Sequence, residues 1–152
     1  MAKFDFKLQP LLNVKSQQED NAKNSLGKAI RALENEKIRL KNLESSKEGY
    51  ISEFNTKTKK TTADKLVEYN RYISYLASGI THQKDNVNCA SRNVDKIRGE
   101  LIKISMERKI LEKYKDKKYG TYLVEQTKDE QKLNDEIVSF RNNGHDMGDE
   151  NA

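Results

Sequence analysis

Tryptophan is absent from this sequence, proline and cysteine occur once each, and glycine occurs only seven times in 152 residues. So few helix breakers exclude a fold made of many tight turns and leave long helices as the natural local state. Apolar residues are also scarce, at 34% against 35% charged, with a mean hydropathy of −0.99. A many-layered globule needs more than that, so the dry surface should be a narrow seam. No apolar run approaches the roughly 18 residues of a membrane span, and no signal peptide opens the sequence, which predicts a cytoplasmic protein without membrane insertion. The lone Cys89 has no partner for an internal disulfide, fits a reducing compartment, and reads as a small packing residue beside the seam.

What is present is a heptad stripe. Steps of three and four from Leu12 reach Lys15, Glu19, Ala22, Leu26, Ala29, Leu33, Glu36, Leu40, Leu43, Lys47, Tyr50 and Phe54, and nine of these 13 positions are apolar. Disorder is the competing outcome of so polar a composition, and this regular spacing decides against it. The stripe stops at the polar run 55–62, where Thr61 and Asp64 have the spacing of a capping box. It resumes at Leu66 and runs through Tyr69, Ile73, Leu76, Ile80, Gln83, Val87, Ala90, Val94, Ile97, Leu101, Ile104, Arg108 and Leu111, with 12 of 14 apolar. After Leu111 the steps become four, four, four through Lys115, Tyr119 and Leu123, a stutter that marks where the partner helix ends.

The predicted fold is all-α: two long helices in an antiparallel coiled-coil hairpin, the second longer than the first. The helices span about 9–56 and 63–141, the loop about 57–62, and a disordered acidic tail 142–152 follows the helix stop at Asn142-Asn143-Gly144. Residue numbers summing to about 122 should face each other, which sets Phe54 near Tyr69 and Leu12 near Leu111. Helix two then continues alone for roughly 28 residues. Pro10 suits a first helical turn, where its missing N–H would be unpaired anyway.

Chemistry-bearing motifs are missing. There is no phosphate-binding glycine loop, and His82 and His145 stand 63 residues apart without the i,i+4 partner of a helical metal site. Cys89 and His82 lie about 10.5 Å apart along one helix axis, beyond the reach of a thiol dyad. The chain is expected to be no enzyme and to use no cofactor and no metal.

Surplus apolar residues concentrate at two places. Tyr72 and Tyr75 lie off the stripe near Tyr69, Tyr50 and Phe54; either they face outward as a contact site or they flank the seam and cover it. Phe4, Phe6, Leu8 and Leu11 should approach Tyr114, Tyr119 and Leu123. Charge is uneven as well: residues 92–120 hold 10 Lys/Arg against 5 Asp/Glu, and residues 121–152 hold 3 against 8. Such segments suit two surfaces of opposite sign, or simply solvated helix faces. Acidic residues alternate with the lysines at 113–118 and no groove-reading motif is present, so no nucleic acid is expected.

The opening Lys3-Phe-Asp-Phe-Lys-Leu-Gln-Pro-Leu-Leu-Asn-Val14 resembles the F-x-F-x-L-Q-x-L-L-N-[LV] start of FliJ proteins. Tyr69, Tyr72-Ile73, Leu76, Ile80 and His82-Gln83 resemble that family's pattern early in helix two. Glu107-Arg-Lys109 with Leu111-Glu112-Lys113, and Lys132-Leu-Asn-Asp-Glu136, are similar to later segments. The resemblance implies a non-enzymatic component of the flagellar type III export apparatus, a coiled-coil stalk in the hexameric export ATPase FliI. It also implies binding to the cytoplasmic domain of the export gate protein FlhA, recycling of export chaperones, and peripheral association with the apparatus at the membrane. Its gate-binding surface maps onto Leu43, Tyr50, Tyr72, Leu76, Gly79 and Gln83; the sequence departs at Arg39 and Ser46, where relatives can carry Gln and an aromatic. The stalk analogy implies ATPase contacts at Phe4, Phe6, Leu8, Leu11, Tyr119, Leu123, Leu133, Ile137 and Phe140. The equivalent stalk of a virulence-type secretion system, or a basic coiled-coil scaffold associated with nucleic acid, are the alternative readings.

Overall fold

The computed structural model describes residues 3–57 and 62–146. Helix α1 spans Gln9–Lys57 and helix α2 spans Ala63–Asp146, with no strand among the described residues. The all-α pair with a longer second helix is therefore what the chain adopts. At the start of α1, the Gln9 and Leu12 N–H groups donate to the Phe6 and Leu8 carbonyls, each at 2.9 Å, and Pro10 falls in the first turn. Thr62 stands directly ahead of α2 and its carbonyl accepts from the Leu66 N–H at 3.3 Å, while Asp64 in the first turn suits the positive end of the helix dipole. Residues 58–61 of the expected loop, including Thr61 of the capping spacing, lie outside the described residues.

The far end of α2 differs from expectation. The helix runs through Asn142, Asn143 and Gly144 to Asp146, past the predicted stop at 141. Glycine ends a helix by taking a positive φ, and no described glycine has one. Without that reversal Gly144 is only a weak helix former, at about 1 kcal/mol relative to alanine. Residues 147–152 of the expected tail lie outside the described residues.

Packing divides the chain into two units, each drawing on both helices: Met1–Ser16 with Met106–Ala152, and Gln17–Ser105. In the Gln17–Ser105 unit every stripe position from Glu19 to Phe54 and from Leu66 to Ile104 is buried or half-buried. On its α1 segment only Gly27 and Ile51 share that cover off the stripe. Ala29, Leu76, Ile80 and Val94 are the most deeply buried apolar side chains, and a fully buried Leu, Ile or Val stabilises by about 1.5–3 kcal/mol. The antiparallel register matches the expected sum, with partners summing to between 119 and 123 at Tyr50–Tyr69, Tyr50–Tyr72, Phe54–Tyr69 and Glu36–Gln83.

In the other unit the register is held by polar side chains. Lys15 Nζ pairs with Glu107 Oε2 at 2.6 Å, and Lys115 Nζ donates to Gln9 Oε1 at 2.7 Å. Phe6 and Leu12 are its buried apolar residues. The predicted four-four-four stutter is corrected here: beyond Lys115 the covered positions are Tyr122 and Gln126, and Tyr119 and Leu123 are exposed. The N-terminal segment before Gln9 explains the difference, because it extends along α2 after α1 has run out and covers the side that plain heptad steps from Leu111 reach. Unpartnered helix accordingly begins near residue 127, and every residue from 127 to 144 is exposed.

Candidate interaction sites

In the Gln17–Ser105 unit the last turns of α1 and the first turns of α2 bring five aromatic rings together. Tyr50 sits at 5.1 Å from Tyr69 and 4.4 Å from Tyr72, Phe54 at 5.3 Å from Tyr69, and Tyr75 stacks beside Tyr72 at 6.2 Å. Tyr69, Tyr50 and Phe54 occupy stripe positions and are half-buried, whereas Tyr72 and Tyr75 keep 42% and 73% of their surface in water. Both readings of the sequence thus hold in part, since Tyr72 covers the seam with one face and presents the other. Partial desolvation among the rings, reinforced by Tyr69 and Glu53, raises the Tyr50 pKa above its ordinary value. Its hydroxyl stays neutral at any physiological pH and serves a contact as an uncharged donor or acceptor.

The remaining predicted gate-binding residues divide by burial. Leu43 and Gly79 are half-buried, and the space around Gly79 is open where a side chain would stand. Leu76 and Gln83 are buried, at 4% and 7% exposure, inside the seam. The Gln83 amide nitrogen donates to the Glu36 carbonyl at 2.9 Å and also to the Glu36 carboxylate, and its oxygen accepts from Asn86 Nδ2 at 3.2 Å. Sequence spacing placed Gln83 and Glu36 on their stripes without revealing that they meet; opposite numbers summing to 119 were the available signal. Gln83→Ala should therefore lower stability by about 1–2 kcal/mol, because the half-buried carboxylate and carbonyl of Glu36 lose a donor. Tyr72→Ala should cost under about 1 kcal/mol, as its exposure limits the surface returned to water. Urea unfolding followed by circular dichroism measures both.

The second concentration lies in the Met1–Ser16 and Met106–Ala152 unit. Phe4 packs edge-on against Tyr119 at 5.1 Å and beside Tyr122 at 5.4 Å, and Phe6 lies 6.0 Å from Tyr114. Lys118 Nζ stands 5.4 Å from the Tyr114 ring centroid. The N-terminal segment and α2 enclose a groove of about 590 Å³, lined among others by Phe4, Phe6, Leu8, Tyr114 and Tyr122. Of the predicted ATPase-contact residues, Phe4 and Tyr119 meet in this cluster and Phe6 is buried beside it, whereas Leu8, Leu11 and Leu123 are exposed around it. Farther along α2, Leu133, Ile137 and Phe140 form an i, i+4, i+7 line, with Phe140 exposed by 81%. Tyr122 was missed by the stutter reading, although heptad steps from Leu111 find it.

No group of three His, Cys, Asp or Glu among the described residues could hold a metal ion. His82 is exposed, as expected of a helix-surface residue. Cys89 is exposed too, which corrects its placement beside the seam: Ala90 takes the seam position and Cys89 falls one residue around the helix from it. No described helix is long and apolar enough to cross a membrane.

The sequence profile of the flagellar FliJ proteins matches residues 4–145. No curated protein matches the sequence. Among solved structures, a Chlamydia trachomatis chain, CT670, described as a YscO homolog, superposes with a TM-score of 0.70 at 24% identity, covering 95% of this chain and 99% of its own. That likeness establishes a shared fold.

Proposed function

This chain belongs to the FliJ family of flagellar proteins, and from that premise we propose that it is a non-enzymatic stalk component of the flagellar type III export apparatus. It binds the hexameric export ATPase FliI through the Met1–Ser16 and Met106–Ala152 unit, promoting its assembly and turnover. It binds the cytoplasmic domain of the gate protein FlhA through the ring cluster of the Gln17–Ser105 unit, and assists recycling of export chaperones. It works in the cytoplasm, peripherally associated with the apparatus at the membrane. The observation that supports this reading most is the match over residues 4–145, which takes in both aromatic concentrations. A two-helix fold resembling a YscO homolog agrees with it.

The ring cluster supplies what a contact site requires. Large, stiff aromatic side chains bury much surface at small entropic cost and dominate interface energies. Tyr50 and Tyr72 are the anchors, Gly79 leaves room for an approaching backbone, and Leu43 borders the seam. Leu76 and Gln83 act from beneath, holding the register that presents the tyrosines. In the ATPase contact, Leu133, Ile137 and Phe140 provide an apolar line on a stretch of α2 that no described residue covers, and the neighbouring basic and acidic segments supply alternating charge.

Combined Tyr50→Ala and Tyr72→Ala should weaken binding to the gate protein's cytoplasmic domain by tenfold or more, as expected for two buried aromatic anchors, while leaving helicity and ATPase binding unchanged. Titration calorimetry measures the first and circular dichroism the second. Unchanged gate binding would place that contact elsewhere.

A further inference from the structure

We propose that the outer face of α2 in the Met1–Ser16 and Met106–Ala152 unit is a binding site for anionic phospholipid headgroups at a membrane surface. At 3.6 residues per turn, Met106, Lys109, Ile110, Lys113, Lys117 and Val124 fall in a sector about 100° wide, and all six are exposed. Met106, Ile110 and Val124 keep 61%, 66% and 55% of their surface in water. The N-terminal segment packs on the other side, against Tyr114, Tyr119 and Tyr122. No described residue of the unit covers the sector.

Between Met106 and Val124 no carboxylate lies within it. Glu107 and Glu112 point elsewhere and hold Lys15 and Arg108, each at 2.6 Å, and Asp116 falls outside the edge marked by Lys109. Every charge on this stretch of the face is thus a lysine. Lysine stems cover apolar surface while their ammonium groups reach outward, so the same side chains border an apolar ridge and deliver charge at its rim. A helix with apolar residues bracketed by lysines lies in the plane of an anionic interface, gaining from both buried apolar area and attraction to the headgroups.

The apolar ridge selects among polyanions. Nucleic acid would engage the lysines through its phosphates but leave Met106, Ile110 and Val124 in water. An acyl boundary takes up both. The face shares no residue with the aromatic and apolar anchors of the proposed gate and ATPase contacts, so lipid binding can be tested apart from those anchors.

The test is cosedimentation of the full chain at low salt with phosphatidylcholine vesicles, pure or with about a third of the lipid replaced by phosphatidylglycerol. Binding to the mixed vesicles and not to the pure ones is expected. Lys109→Gln, Lys113→Gln and Lys117→Gln together should weaken it on the order of 100-fold, at roughly fivefold per lysine. Met106→Ser with Ile110→Ser should weaken it roughly tenfold with helicity unchanged. No binding to mixed vesicles, or retention by either variant of native binding, would overturn the assignment. So would tighter binding to duplex DNA than to mixed vesicles at matched phosphate, which would make this a nucleic-acid surface.

Discussion

Val94→Asp should remove the larger part of the chain's stability. Val94 is the most deeply buried described side chain, at 3% exposure, in the middle of the α2 stripe of the Gln17–Ser105 unit. A carboxylate there must either stay charged in a dry seam or take up a proton. Kept charged and unpaired it costs about 3–5 kcal/mol, and protonation only trades part of that for a buried polar group, against total stabilities of roughly 5–15 kcal/mol for whole domains. A two-helix seam has little to spare, and each helix alone is marginal in water. The thermal midpoint should fall by roughly 10 °C or more, with loss of helical signal at 222 nm. Val67→Asp is the control: Val67 keeps 52% of its surface in water, and its change should stay within about 0.5 kcal/mol. Equal effects at the two sites would mean that the seam does not hold the pair together.

Ending the chain after Lys113 should abolish binding to the export ATPase and leave gate binding intact. The deletion takes Tyr114, Tyr119 and Tyr122 away from Phe4 and Phe6 and removes the whole Leu133, Ile137 and Phe140 line. It touches nothing in Gln17–Ser105, where the tyrosines of the proposed gate contact pack. A chain ending at Gln131 separates two contributions, because it keeps the rings around Phe4 and loses only the exposed line. Binding lost in both truncations assigns the contact to that line, and binding lost only in the shorter chain assigns it to the ring cluster. Retained ATPase binding by the Lys113 truncation would place the contact outside residues 114–152.

Most of the fold was legible because one physical demand shaped it. A chain this polar can dry only a narrow strip, and every heptad position from Leu12 to Phe54 and from Leu66 to Leu111 is indeed covered. The register followed from folding one stripe on the other, and Phe54 does meet Tyr69. Reading failed where cover comes from something other than a helix. The N-terminal segment has no periodicity to extrapolate, so Tyr122 was passed over for Leu123, and the cover on α2 was ended too soon. It failed again at Asn142-Asn143-Gly144, where local propensity is weak and helix continuation costs little. The rings of Tyr50, Phe54, Tyr69, Tyr72 and Tyr75 were legible as neighbours, but spacing did not separate the exposed Tyr72 from the buried Leu76 and Gln83. The basic outer face of α2 was hidden for another reason: a segment's net charge says nothing about which helix side carries it.

The most direct measurement of the stalk role is ATP hydrolysis by the purified export ATPase with and without this protein at low salt, with hexamer formation followed by light scattering. Faster hydrolysis together with more hexamer, both lost on truncation after Lys113, is the expected result. No change in either quantity with the full chain would contradict the stalk role.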